Sequence, residues 1–444
     1  MKANKSALFF VLLMTAFIQE SCDTTLNVKS PASSYFIKYF GNEGSQTGAD
    51  FVVNPDGTFV LFGTTQKGSA DPRFYLAKAD AKGNVMWEKT FGTAKCQARD
   101  VELATDGRIV VLGNMIAPNR TDYDVYLKTF LQDGTPKESL PLKNYNDVTS
   151  AIIPANEDAS TVTQTNDGFI VAGSSGNIAH PGDPNFIRDA FFLRVDDNLV
   201  LYTQGIWPAV PAYGRGTENI ASKIVQLPDS TFYVFGSTKF NKPGPQTDFD
   251  FWYFKLSKTA GPFSDAYLGS PGKDQRLFSV AADTTSLGTG FFLGGLETDP
   301  SGDRIYFTQL NHPPLAFTPF DAGHIAPQPL GIDLGKLNTV LNPPNPSNEF
   351  VSVCASKSSG FFVLTNEVTT GNNNLILTKF DSKGIPAWKI IFGGQGDDFA
   401  GSVQELPDGK IVIIGTMTIG QASPNNGETK MVLIKVNKDG EFAD

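Results

Sequence analysis

Histidine and cysteine are nearly missing from this chain, with three of each in 444 residues. That scarcity excludes a disulfide framework and a histidine-built zinc centre. His180, His312 and His324 all sit in Pro- or Gly-rich stretches, without metal-ligand or metalloprotease spacing. Cys96 and Cys354 fall in repeats far apart along the chain and read as small buried hydrophobes rather than a pair. Only one long apolar run occurs, residues 7–18, too short to span a bilayer. Basic clusters are missing too. With 36 basic against 46 acidic residues and a net charge of −10, nucleic acid is excluded as a partner. No Gly-x-Ser-x-Gly elbow appears, and the sialidase-type Asp repeat is not met. Gly-rich links such as Gly41-Asn42-Glu43-Gly44 lack the helix start that a phosphate cradle needs.

What is present is repetition. A Gly- or Asp-Gly-type turn, a short β-branched or aromatic run and a small-residue stop recur along the chain. Clear copies start at Asp56-Gly57, Asp106-Gly107, Asp167-Gly168 and Asp408-Gly409, ending at Gly63, Gly113, Gly173 and Gly415. Degenerate copies end at Gly236, Gly295 and Asn366. Stops are 49 to 71 residues apart, a period expected of a radial or stacked β-array. Each stop is followed by a second apolar strand, at 74–80, 125–130, 191–196, 252–257, 305–310, 375–381 and 432–437. These runs are apolar at nearly every position, as in a sheet covered on both faces.

A third pattern ends in Phe-Gly, in residues 85–92 and 386–393, and it also opens the domain at residues 35–41. The C-terminus stops where its own copy is due. The first strand therefore supplies the outer strand of the last sheet, removing open edges. The expected fold is all-β: a β-propeller of seven blades over residues 35–444, closed by its two ends. An eighth blade is the alternative, because the interval from Gly295 to Asn366 is long and Pro-rich.

Residues 1–21 combine a basic start, the apolar run and Ser21 before Cys22. This resembles a bacterial lipoprotein signal. The resemblance implies export, lipidation of Cys22, a tether over 22–34 and anchoring to a cell-envelope membrane, the outer membrane by expectation. The repeat motifs resemble those of Bacteroidota-type exported propeller lipoproteins and, distantly, the quinoprotein-like propeller superfamily. That resemblance implies a fold and no activity.

Long polar loops lie on one side of such a scaffold, which makes that face the expected site. The candidate ligand-binding residues on its crossings are Arg99, Arg215, Glu218, Lys273, Asp274, Arg276, Asp397 and Asp398. Mixed carboxylates and guanidiniums suit a polar ligand such as a glycan, or an envelope protein. Asp122, Asp124, Asp248 and Asp250 read as loop-capping aspartates rather than calcium ligands. Trp87 and Trp388 read as blade packing, with Tyr123, Trp207, Tyr213 and Phe249 as sugar-stacking candidates. No cofactor, metal site or catalytic set is expected. The leading expectation is a non-enzymatic, lipid-anchored binding scaffold, and the alternative is a glycan hydrolase or lyase using channel carboxylates.

Overall fold

A computed structural model describes residues 35–93, 95–116, 121–137, 157–176, 188–201, 210–213, 218–226, 232–239, 248–256, 265–269, 272–283, 290–299, 302–311, 352–369, 372–382, 385–394, 396–420 and 428–443. Cys22, the leader, the tether, Arg215, Trp207, the three histidines and the Pro-rich stretch 312–351 lie outside the described residues. Strand β1 (Phe36–Phe40) opens the chain. It is followed by β2 (Ser45–Val53), β3 (Phe59–Gln66), β4 (Arg73–Ala79) and β5 (Val85–Phe91), which form one antiparallel unit. The next unit holds β6 (Gln97–Leu103), β7 (Ile109–Ile116) and β8 (Tyr123–Phe130). Then come β9 (Glu157–Thr165), β10 (Gly168–Gly176), β11 (Arg188–Asp196) and β12 (Val210–Tyr213). A single parallel bridge, Arg188 with Glu218, links these to β13 (Glu218–Gln226), β14 (Phe232–Lys239), β15 (Phe249–Leu256) and β16 (Asp265–Leu268).

Further units are β17 (Asp274–Asp283), β18 (Gly290–Asp299) and β19 (Gly302–Asn311), then β20 (Ser352–Ala355), β21 (Phe361–Thr369), β22 (Asn372–Phe380) and β23 (Pro386–Phe392). The last is β24 (Phe399–Glu405), β25 (Ile411–Ile419) and β26 (Glu428–Val436). Its outer edge is taken by β1, in antiparallel register from Phe36 opposite Lys435 to Phe40 opposite Met431. Among the described residues there is no helix. The chain is a β-propeller, as the repeats imply.

Cores lie between neighbouring sheets. Val60 and Phe62 of β3 pack with Val111 of β7, while Phe59 and Leu61 of the same strand pack with Val412 and Ile414 of β25. Alternate side chains thus serve opposite neighbours, which is why these strands are apolar at every position. Inner strands touch in the order β2, β6, β9, β13, β17, β20, β24, and β24 in turn touches β2.

The Asp-Gly turns have a local cause. Gly57, Gly107 and Gly409 take φ near +81 to +84°, and Asp56 Oδ1 accepts the Thr58 N–H at 2.9 Å. A left-handed glycine after a type I turn is the three-residue hairpin solution. The stop glycines have a different cause. A Cβ on Gly236 would stand 1.9 Å from the Ile220 carbonyl oxygen, and one on Gly63 would stand 1.8 Å from that of Thr47. The polar residue after the stop then reaches the next sheet. Thr64, Asn114, Ser237 and Thr416 accept N–H groups of Ala98, Ala159, Leu277 and Gly48 at 2.8 to 3.3 Å. Asn366 does the same for Ala400 at 2.7 Å, so it occupies this polar position rather than the stop.

Gly236→Ala is expected to cost about 3 kcal/mol through backbone displacement, and Gly409→Ala only about 1–2 kcal/mol through its left-handed φ, since nothing lies within 4 Å of its added carbon. Urea midpoints compare the two. Equal losses would contradict the close-approach explanation.

Candidate functional site

Every inner strand but β20 shows the same irregularity. The pairing skips Ala49, Arg99, Ser160, Ser222 and Phe278, and on β24 the residues between Ala400 and Val403. A bulge adds one residue and re-aims the next side chain. The residues that follow, or match by repeat, are Asp50, Asp100, Thr161, Lys223, Ser279, Ser352 and Ser402. They encircle the axis as one polar ring.

Ring residues bind sheet to sheet. Asp50 Oδ2 accepts the Val101 N–H at 3.2 Å, and Asp100 Oδ2 accepts that of Val162 at 2.8 Å. Ser279 and Ser352 Oγ accept those of Val353 and Val403 at 3.0 and 3.2 Å. A serine suffices for this bond, so two aspartates and a lysine at equivalent places ask for another explanation. Asp100 also accepts the Thr161 hydroxyl at 2.9 Å and stands 3.6 Å from Lys223 Nζ. Two donors and an ammonium group meet this one carboxyl.

Asp50 is the opposite case. Burial pushes its carboxyl well above the ordinary range, and the charge and hydrogen bond of Asp100 push it further, against a smaller pull from Lys223 and Ser402. Glu102, two residues along β6 on the same face, is pushed up to about 7 by burial and by Asp100. Lys223 stays protonated above its usual value, because Asp100, Asp50 and Glu102 outweigh its loss of solvation. Its side chain is enclosed by strands yet 37% open, to the channel interior. Buried carboxyls raised by burial and by a neighbouring carboxyl are a feature of sites that carry proton transfer.

A cavity of about 460 Å³ opens beside this cluster, walled by β2, β13, β17, β20 and β24. Asp50, Lys223, Ser279, Ser352 and Ser402 line it, with Cys354, Lys357 and Glu405 at its other end. Glu405 Oε2 accepts the Lys357 N–H at 2.6 Å. Cys354 is half-buried, its thiol pushed up to about 11 by burial, and it packs against the core that holds Val403 and Ile411 while also lining the cavity. Cys96 is buried as expected.

The crossing residues picked from sequence do not build this site. Arg99 is the bulged residue of β6 and binds Asp158 Oδ1 at 2.7 Å. Glu218 opens β13 opposite Lys239. Lys273 reaches Glu297 at 3.0 Å, Asp274 accepts the Phe249 N–H at 2.8 Å, and Arg276 lies 4.5 Å over the Phe249 ring. Asp397 accepts the Asn373 N–H at 2.9 Å. Asp398 is fully buried between the Gly394 and Thr418 N–H groups, its carboxyl raised by burial. Each is engaged in holding loops and sheets, which is why a polar residue stands there. Phe249, a candidate for stacking on sugar, is buried under Arg276 and Lys239. Trp87 and Trp388 do pack in the cores. Asp248 caps its loop, accepting the Gly272 N–H at 2.7 Å. Among the described residues no group of three or more His, Cys, Asp or Glu is placed to hold a metal ion.

No protein-family model and no curated protein sequence matches the chain. Among solved structures it is similar to a polysaccharide lyase of family PL25, an ulvan lyase bound to -[GlcA(1-4)Rha3S]-. The identity is 11% and the TM-score 0.51, covering 91% of this chain and 96% of that one. A thermostable family-43 glycoside hydrolase (14% identity, TM-score 0.36) spans 62% of this chain and 94% of its own. An α-L-arabinofuranosidase, Arb93A from Fusarium graminearum, shows 9% identity and TM-score 0.41 over 90% of this chain and 98% of its own. At such identities the likeness is one of fold. The expectation of a non-enzymatic scaffold is nevertheless corrected. Its structural neighbours are glycan-active enzymes, and Asp50, Asp100 and Glu102 stand together beside the cavity.

Glu102 gives this cluster a stability signature. Its ordinary value is 4.5, and in the folded chain it is about 7. The folded state therefore holds a proton that the unfolded chain releases first, and that stabilisation is full below pH 4.5 and lost as pH rises through 7. Glu102→Gln is expected to be near neutral at pH 4.5 and stabilising by roughly 2–3 kcal/mol at pH 8. Denaturant titrations at both values test this. The same effect at both would contradict a raised carboxyl.

Proposed function

We infer that the chain is a glycan-active enzyme working in its central channel. The observation that carries this reading is Asp50: a carboxyl kept protonated by burial and by its neighbour Asp100, on the wall of a cavity. Such a group serves as general acid at neutral pH. In the reading Asp50 gives its proton to the glycosidic oxygen as the carbon–oxygen bond breaks. Glu405, lining the same cavity with one oxygen held by Lys357, takes a proton from the water that attacks the sugar carbon. The sum is addition of water across the bond.

Elimination fits less well. A lyase needs an unprotonated base to remove a carbon-bound proton, and Lys223, held protonated by three carboxyls, does not supply one. Seven blades with the two chain ends joined, export and lipidation at Cys22 complete the proposal. The sheet units, the pairing of β1 with β26 and the signal-like leader support these parts.

Asp50→Asn is expected to lower kcat by roughly 10²–10⁴-fold while leaving the melting temperature close to wild type. Wild-type activity should persist at neutral pH and fall on the alkaline side as Asp50 ionises. Reducing-end release from a polysaccharide panel, followed against pH, provides the readout. Full activity in the Asn variant would remove Asp50 from the chemistry.

A further inference from the structure

The cavity is off-centre in the channel, and one contact explains why. Asp100 and Thr161 belong to the same polar ring as Asp50, yet β6 and β9 contribute nothing to the cavity wall. Lys223 leaves β13, passes β9 and reaches Asp100 on β6 at 3.6 Å, drawing a chord across the channel. Thr161 donates its hydroxyl to the same carboxylate and so lies behind the chord. An occupant of the cavity stops at Lys223.

Ser279 and Ser352 accept backbone N–H groups from the next sheet, so their hydroxyl protons remain for a ligand's oxygens.

Resting on the glycan reading above, we propose that the cavity takes the end of a glycan chain, and that the Lys223–Asp100 chord is the wall that makes the enzyme end-acting. Serine stands at three other ring positions, so Lys223→Ser places a ring-compatible residue there, and Lys223→Arg keeps the chord.

The test follows product size and kcat/KM on neutral polysaccharides (xylan, arabinan, glucan, mannan) and on uronate polymers (polygalacturonate, alginate). Expected are short products released from chain ends of whichever polymer is cleaved. Lys223→Ser should release longer products, and Lys223→Arg should keep the short ones. Unchanged product lengths in a folded Lys223→Ser protein would overturn the wall while leaving glycan cleavage intact. No cleavage of any polymer, together with sugar binding unaltered by Asp50→Asn, would overturn the glycan reading beneath it.

Discussion

Everything in this fold depends on how closely the inner strands approach one another around the axis. The stop glycines permit that approach, since a side chain at Gly63 or Gly236 would collide with a neighbouring carbonyl. Once strands are that close, the polar residue after each glycine can bond to the next sheet, as Thr416 does to Gly48. The bulge that follows aims another polar residue inward, whose oxygen also binds the next sheet. At the β2–β6, β6–β9 and β20–β24 junctions two such hydrogen bonds orient sheets whose apolar faces would otherwise slide, because hydrophobic contact has no direction.

The same geometry creates the site. A residue required only to accept one N–H can be serine, and at Ser279 and Ser352 it is. Replacing serine by aspartate keeps that bond and adds a second oxygen in the channel. Two such aspartates on adjacent strands cannot both ionise cheaply, so one is held neutral beside the other. The acid–base character of the channel is thus a by-product of the joints between sheets, sharpened by Glu102 and balanced by Lys223.

Much of the fold was legible in the sequence and most of the site was not. The turns, the apolar second strands and the terminal pairing have strong local signals: Asp-Gly pairs, continuous apolar runs and a missing last strand. The inner strands have none. Residues 45–53 or 97–103 are mixed in polarity, and the bulge breaks their alternation halfway. The charged crossings stand out in the sequence instead, yet Asp397, Asp398 and Asp274 are polar because they cap backbone N–H groups. A usable signal did exist. A polar residue followed by an aliphatic or aromatic one recurs once per repeat, from Asp50-Phe51 and Asp100-Val101 to Lys223-Ile224 and Ser402-Val403. Charge at three of those seven places is what marks the functional side of the ring.

The most direct measurement is a crystal structure of the Asp50→Asn protein grown with a neutral oligosaccharide. The account predicts a sugar end between β2, β17 and β24, hydrogen-bonded to residue 50 and to the Ser279 or Ser352 hydroxyl, stopping at Lys223. A sugar seated instead on the crossings, among Arg99, Lys273 and Asp397, with an unoccupied channel would contradict it.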